Sequence, residues 1–102
     1  PTILTSIGGL SLYFLDRYSE SVERARECVR RVPSNAFCRT TLVANLGQLG
    51  LQDEARAAVA ELLKMSPNFS LTSERKATAP RWSRVEYVDL WIDGLRKAGV
   101  PE

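Results

Sequence analysis

The sequence contains no histidine among its 102 residues. Ser-His-Asp triads, Cys-His nucleophile pairs, histidine-ligated zinc and imidazole acid–base relays are therefore excluded within this chain. Any catalysis would have to use carboxylates, lysine, tyrosine or cysteine. Two acidic pairs are spaced one helical turn apart, Glu23 with Glu27 and Asp89 with Asp93, but neither lies in a catalytic motif. We predict that the chain is not an enzyme and has no catalytic residue, cofactor or metal ion.

Cysteine is nearly as scarce, since Cys28 and Cys38 are the only two. No third or fourth partner is present to complete a metal site or a disulfide framework. The favoured interpretation is that both are small buried apolar residues. A disulfide across the intervening turn is the alternative, and a reactive thiol is less favoured still. This cysteine usage predicts a reducing, cytoplasmic location.

Long hydrophobic runs and a strong charge of either sign are also missing. The longest apolar run, from Ile3 to Leu15, is interrupted by polar residues and glycines and has no basic segment before it, which is unlike a membrane span or a signal peptide. The net charge is +2, too small to indicate nucleic-acid binding. We interpret the basic clusters in residues 17–39 and 67–85 as solvated helix faces. We therefore predict no nucleic-acid partner and no membrane contact.

A repeat of 34 residues appears when the sequence is compared with itself. A fixed period of this length is typical of helical repeat arrays. It divides the chain into units 1–34 and 35–68, followed by residues 69–102, in which the period decays. The identical pairs are Leu12 with Leu46, Leu15 with Leu49, Glu20 with Glu54, Glu27 with Glu61 and Pro33 with Pro67.

Each of the first two units is predicted to contain two helices, because apolar residues recur at helical spacing in two runs per unit. Pro33 and Pro67 lie where the second run stops, which suits the missing N–H of proline. Gly50 suits a helix C-terminus, and Asp53 is expected to cap the helix that follows.

The 34-residue helix–turn–helix period resembles the tetratricopeptide repeat, whose pattern is W-x2-L-G-x2-Y, then A-x3-F, then P. At those positions the first unit supplies Gly9, Ser21 and Pro33, and the second supplies Leu42, Ala55 and Pro67. The first tryptophan is replaced by Thr5 and by Arg39. The resemblance implies an all-α, tetratricopeptide-like α-α superhelix.

The C-terminal third is predicted to contain a short helix over Ser70 to Ala77 and a final amphipathic helix that closes the superhelix as a cap. Ser83 and Glu86 have capping-box spacing before the final helix. Gly99 is expected to end that helix, and Asp93 with Lys97 is a favourable i,i+4 pair. We expect the final helix to pack on the second repeat through its tryptophans, Trp82 and Trp91.

The closing residues 91–102, taken with residues 67–70, resemble the C-terminal end of bacterial multidomain signalling proteins. In those, tetratricopeptide repeats follow a class III adenylate or guanylate cyclase domain, or sometimes a winged-helix transcription-regulator domain. The resemblance implies that this chain is the C-terminal, non-catalytic part of a longer protein whose other domains precede Pro1. No cyclase residue can be assigned within these 102 residues.

In tetratricopeptide arrays the first helix of each unit lines a groove that holds a peptide or a partner helix. The resemblance therefore implies a groove for a protein or peptide partner, lined by Ile3, Ser6, Leu10, Tyr13, Phe14, Phe37, Thr40, Ala44, Gly47 and Gln48. Its central positions lack the Lys, Arg and Asn of the variant that grips a terminal carboxylate, so no such clamp is predicted. The alternative is a structural module in which Tyr13 and Phe14 are covered by a preceding repeat, or by a second copy that pairs through the N-terminal helix.

Overall fold

The regular elements of the structure, a computed structural model that describes residues 12–82 and 84–102, are all helices. The chain passes through a short helical segment at 12–14 and then through α1 (Tyr18–Arg31), α2 (Ala36–Leu49), α3 (Gln52–Met65), α4 (Leu71–Thr78) and α5 (Val85–Ala98). No strand occurs in these ranges, so the all-α class is confirmed for them. None of the helices found there has the length and apolar character needed to cross a bilayer.

The bounds of the helices follow the period of the sequence. Helices α1 and α3 both contain 14 residues, and α3 begins and ends 34 residues after α1. Each ends two residues before a proline, Pro33 or Pro67, as predicted. The short helix predicted after Pro67 is also present, as α4.

Most helix ends have the local chemistry expected of them. The Asn35 side chain accepts a hydrogen bond from the Cys38 amide (3.2 Å) at the start of α2, and Ser70 forms a reciprocal capping box with Ser73 at the start of α4. Gly50 and Gly99 end α2 and α5 in the left-handed conformation, with φ of 72° and 107°. That conformation suits glycine, which has no Cβ to clash with the backbone, and both predicted helix ends are confirmed.

Two predicted caps have a different outcome. Helix α3 begins after Leu51, which makes no capping hydrogen bond through its side chain, so the prediction that Asp53 caps this helix is wrong. Asp53 instead lies in the first turn, where its charge interacts favourably with the positive end of the helix dipole. At α5 the N-cap residue is Arg84, and Ser83 of the predicted capping box lies outside the described residues.

Helix α2 is the centre of the fold and packs most extensively against α5, then against α1 and α3. Because three helices surround it, it is lined by small or apolar side chains on most of its surface. Its buried residues are Cys38, Thr40, Thr41, Val43, Ala44, Asn45, Leu46 and Gly47.

The α2 and α5 backbones approach so closely that only glycine fits at the crossing. A Cβ atom on Gly47 would collide with the Gly94 carbonyl oxygen and lie 2.9 Å from the Ala98 nitrogen. A Cβ on Gly94 would collide with the Tyr13 hydroxyl and lie 2.7 Å from the Ala44 carbonyl oxygen. The two glycines therefore fix how α5 crosses α2.

This crossing belongs to a compact helical body. The final helix packs mainly on α2 and to a lesser extent on α4 and α3. Its role as the cap of a superhelix stays a prediction. The Cα radius of gyration is 12.1 Å and the principal extents are 28 × 28 × 24 Å. A single compact domain of this length is expected to have a radius of about 13 Å.

A disulfide joins Cys28 near the end of α1 to Cys38 near the start of α2, with a Cα–Cα distance of 5.9 Å. Both cysteines are buried, as predicted, but the favoured interpretation of two unpaired apolar residues is wrong. Sequence spacing alone could not decide the pairing, since it depends on how tightly the α1–α2 turn brings the two side chains together. Disulfides are typical of oxidising compartments, so these cysteines no longer support a reducing, cytoplasmic location.

The last residues pack back onto the start of α4. The Leu71 and Thr72 amides donate hydrogen bonds to the carbonyl oxygens of Pro101 (2.8 Å) and Glu102 (3.0 Å). These amides are among the N–H groups at a helix start that have no partner within their own helix. The C-terminal segment thus holds α4 against α5.

The crossing predicts a large cost for the smallest possible substitution, Gly47→Ala. In an open helix this change would stabilise by about 1 kcal/mol, because alanine has the higher helix propensity. Here the added methyl group meets backbone atoms, and we expect chemical denaturation to show a loss of about 3 kcal/mol in the free energy of unfolding.

The matched control is Gly50→Ala, three residues further on. No atom lies within 4 Å of its Cβ position, so only the left-handed backbone is strained. The expected loss there is about 1 kcal/mol. A Gly47→Ala protein that was as stable as the Gly50→Ala protein would contradict the close approach.

The disulfide predicts sensitivity to reductant. Opening a loop of this length costs about 3 kcal/mol through the added entropy of the unfolded chain. We therefore expect dithiothreitol to lower the thermal midpoint of the native protein and to leave that of the Cys28→Ala/Cys38→Ala double variant unchanged. Equal midpoints with and without reductant in the native protein would show that the cysteines are not paired.

Candidate functional site

The structure places most of the described groove residues beneath α5. Tyr13 and Ala44 are fully buried and Thr40 is 5% exposed, while Phe14 and Gln48 are half-buried. Gly47 is part of the helix crossing, and Ile3, Ser6 and Leu10 lie outside the described residues. Phe37 remains 42% exposed. The surface that the resemblance assigns to a partner is thus largely occupied by a helix of the same chain.

A polar network fixes α5 over this surface. The Tyr13 hydroxyl donates to the Leu90 carbonyl oxygen at 2.6 Å. The Gln48 amide donates to the Asp93 carboxylate at 3.3 Å and accepts from the Lys97 ammonium at 3.1 Å. The predicted pair of Asp93 with Lys97 is also present, at 3.1 Å. These contacts satisfy polar groups that α5 would otherwise leave without partners.

Burial changes the titration of the two tyrosines beside this network. It raises the pKa of Tyr13 well above the ordinary range, since the phenolate would lose its hydration. The pKa of Tyr18 is raised to about 12, again chiefly by burial and then by the hydrogen bond that its hydroxyl donates to Asp16.

An aromatic cluster surrounds Trp91, which is fully buried. The Phe37 ring stacks on it with centroids 6.2 Å apart, which shows that Trp91 packs α5 on α2. Trp82 meets Trp91 edge-on at 5.5 Å. The cluster extends outward through Phe14, whose centroid lies 5.4 Å from that of Trp82 and 4.9 Å from that of Tyr87. We call Phe14, Phe37, Trp82 and Tyr87 the aromatic face, because each retains solvent exposure.

A cleft of about 270 Å³ opens beside Phe37, between α2, the end of α3 and α4. Its walls include the rings of Phe37, Phe69 and Trp82, and its acidic group is Glu74 of α4. The Glu74 carboxylate accepts a hydrogen bond from the indole nitrogen of Trp91 at 2.8 Å. Burial raises the pKa of Glu74, an effect opposed by that bond and by the charge of Arg81. We call this the Glu74 cleft.

Sequence reasoning did not identify Glu74 as a site residue. Phe37, Phe69 and Trp82 come from three segments of the chain, and no local motif connects them with Glu74. Tertiary packing alone brings these side chains together.

The acidic pairs noted in the sequence are engaged in ion pairs. Glu23 and Glu27 bind Arg26 and Arg31 at 2.5 and 2.7 Å, while Asp89 binds Arg75 at 2.9 Å. These contacts form part of the basic clusters as well, which supports their interpretation as solvated helix faces. In the described ranges no group of three or more acidic or cysteine side chains is arranged to hold a metal ion.

Comparison with known proteins gives no relative: no family model, no curated protein and no solved structure matches the chain. The site must therefore be interpreted from its own geometry.

The raised tyrosine pKa values predict that the fold weakens at alkaline pH. An unfolded tyrosine titrates near 10, whereas folded Tyr13 and Tyr18 stay protonated to higher pH. The free energy of unfolding should then be steady below pH 10 and fall above it by about 1.4 kcal/mol per pH unit for each such tyrosine.

Denaturant titrations at pH 8 to 11.5 would measure this slope. Tyr13→Phe should lower the stability at neutral pH through the lost bond to Leu90 and should flatten the alkaline decline. Tyr87→Phe, at an exposed position, is the control for the substitution itself. An unchanged slope in Tyr13→Phe would contradict the burial of its hydroxyl.

Proposed function

We propose that the chain is a tetratricopeptide-like protein-interaction module that binds a protein or peptide through its aromatic face and performs no catalysis itself. The observation that carries this proposal is the exposure of large rings on a fixed base. Phe37 is 42% exposed and Tyr87 is 40% exposed, and both belong to the cluster built on buried Trp91. Contiguous exposed aromatic surface marks interaction sites in soluble proteins.

The neighbourhood of the aromatic face supports the same proposal. Leu15, which directly follows Phe14 in the sequence, is 64% exposed. Val85, the first residue of α5, is exposed to the same extent. Rings already held by their neighbours lose little conformational entropy on binding, so they contribute strongly to affinity. The hydrogen bonds of Tyr13 and Gln48 hold α5 in place, which keeps this surface formed in the absence of a partner.

The repeat architecture supports the family assignment within this proposal. Helices α1 and α3 have equal lengths and a 34-residue offset, and each ends before a proline as a tetratricopeptide helix does. The final helix would then have turned onto the groove of an otherwise ordinary pair of repeats. That the parent protein is a cyclase-type signalling protein, or a winged-helix regulator, stays a prediction from the closing residues, as does a cytoplasmic location.

A homo-oligomer is the second candidate, and the exposure of Leu15 favours it. This residue follows the N-terminal segment that the sequence predicts to pair with a second copy. In that case the partner of the apolar surface is another molecule of the same chain. Light scattering distinguishes the two, because the average mass approaches twice that of the monomer at concentrations well above the dissociation constant of a dimer.

The partner-binding proposal predicts a large effect of Phe37→Ala. We would select a random peptide library on the immobilised chain and measure the affinity of the selected peptides by calorimetry. Loss of an aromatic anchor costs about 1.4 kcal/mol or more, which is a tenfold or greater loss of affinity. Thermal unfolding of the variant would confirm that its fold is retained.

Met65→Ala is the matched control, because Met65 is 38% exposed on α3 and lies outside the aromatic face. The selected peptides should bind Met65→Ala with the same affinity as they bind the native chain. Failure to select any peptide, or equal affinities for Phe37→Ala and the native chain, would refute binding at the aromatic face.

A further inference from the structure

We propose that the Glu74 cleft binds the guanidinium group of an arginine side chain presented by the protein partner. This inference rests on the proposed function and specifies the chemistry by which the partner is recognised. It concerns a cleft that adjoins the aromatic face through Phe37 and Trp82, so that one peptide could contact both.

The size of the cleft suits one side chain. At about 270 Å³ it lies just below the range of small-molecule sites, which begins near 300 Å³. A cofactor or nucleotide would exceed it. Phe37 of α2 and Trp82, which follows α4, both line it, and its acidic group, Glu74, lies on α4.

Among the described residues that line the cleft, the Glu74 carboxylate is the group that favours a cation. Glu74 is half-buried and its Oε2 atom accepts from the Trp91 indole. None of the ion pairs found among the described residues includes Glu74. A carboxylate that has lost part of its hydration gains from a charged hydrogen-bond donor more than an exposed one does. The burial that raises its pKa is the same loss of hydration.

The aromatic walls favour a guanidinium over an ammonium. Arginine is planar and weakly hydrated, so it stacks on aromatic rings while its N–H groups reach a carboxylate. Lysine has a compact, strongly hydrated charge that would lose more on entering between Phe37, Phe69 and Trp82. A citrulline side chain has nearly the same shape as arginine without the charge, and it provides the neutral comparison.

Arg81 is the other charged residue among the described residues that line the cleft. It is exposed, and its charge acts on Glu74 without a salt bridge between them. An arriving guanidinium would be repelled by Arg81 and would compete with it for the carboxylate. Removal of the Arg81 charge should therefore strengthen binding, while removal of the Glu74 charge should weaken it.

The test uses N-acetyl-arginine amide as the probe and the fluorescence of the full chain as the signal. The chain has two tryptophans, one lining the cleft and the other bonded to Glu74, so a bound cation should change the emission. We expect a saturable change with arginine, binding at least threefold weaker with N-acetyl-lysine amide, and none with N-acetyl-citrulline amide. Absence of a saturable change with arginine, or an equal change with citrulline, would overturn the proposal.

Two variants that remove a charge test whether the arginine probe binds at Glu74. Glu74→Gln keeps an oxygen that can accept from the Trp91 indole and should weaken arginine binding at least tenfold, whereas Arg81→Gln should strengthen it by a factor of about two to five. Glu61→Gln, at an exposed position on α3, should leave the affinity unchanged. Native affinity in Glu74→Gln would refute the assignment.

A pH titration of the native chain tests the same group without a substitution. Arginine binding should be full at neutral pH and should fall as Glu74 is protonated, at a higher pH than an exposed glutamate would require, because burial raises its pKa. Constant affinity down to pH 3.5 would contradict a role for the carboxylate.

Failure of this inference can be told apart from failure of the proposed function. Selected peptides that need Phe37 but contain no required arginine would leave the interaction module standing and refute the arginine site. Binding of the arginine probe that depends on Glu74, with no peptide selected by the chain, would support the cleft and refute partner binding at the aromatic face.

Discussion

The contact of two glycine backbones, Gly47 of α2 and Gly94 of α5, determines how the rest of this protein is arranged. It lets α5 lie against α2 with no side chain between them. This close approach of α5 to α2 places Trp91 over Phe37 and brings the Leu90 carbonyl oxygen to the Tyr13 hydroxyl. The core, the polar network and the aromatic face all depend on this one close crossing, because each requires α5 to lie directly against α2.

Local features of the fold could be predicted from the sequence, and the crossing could not. Proline stops and glycine ends act within a few residues, so Pro33, Pro67, Gly50 and Gly99 marked helix ends correctly. In the sequence, a close helix–helix contact is marked only by one glycine in each helix. The sequence does not show which two glycines meet. The sequence therefore predicted a final helix but did not show that it would pack mainly on α2.

In the candidate site, too, tertiary packing could not be predicted from the sequence. Tyr13 and Ala44 were assigned to an open groove because that surface is open in tetratricopeptide arrays, but α5 buries both. Phe37 remains at the surface, and the cleft beside it depends on Glu74, Phe69 and Trp82, which no short pattern unites. The spacing of apolar residues predicts which side chains become buried. It does not predict which later segment of the chain buries them.

The Cys28–Cys38 bridge also has a consequence for cleavage of the chain. It closes a ring around the α1–α2 turn, in which Pro33 and Ser34 are exposed. Exposed turns are where proteases cut folded chains most readily. A cut within the ring would leave two polypeptides still joined covalently, so the nicked protein would migrate as one band until a reductant separated it.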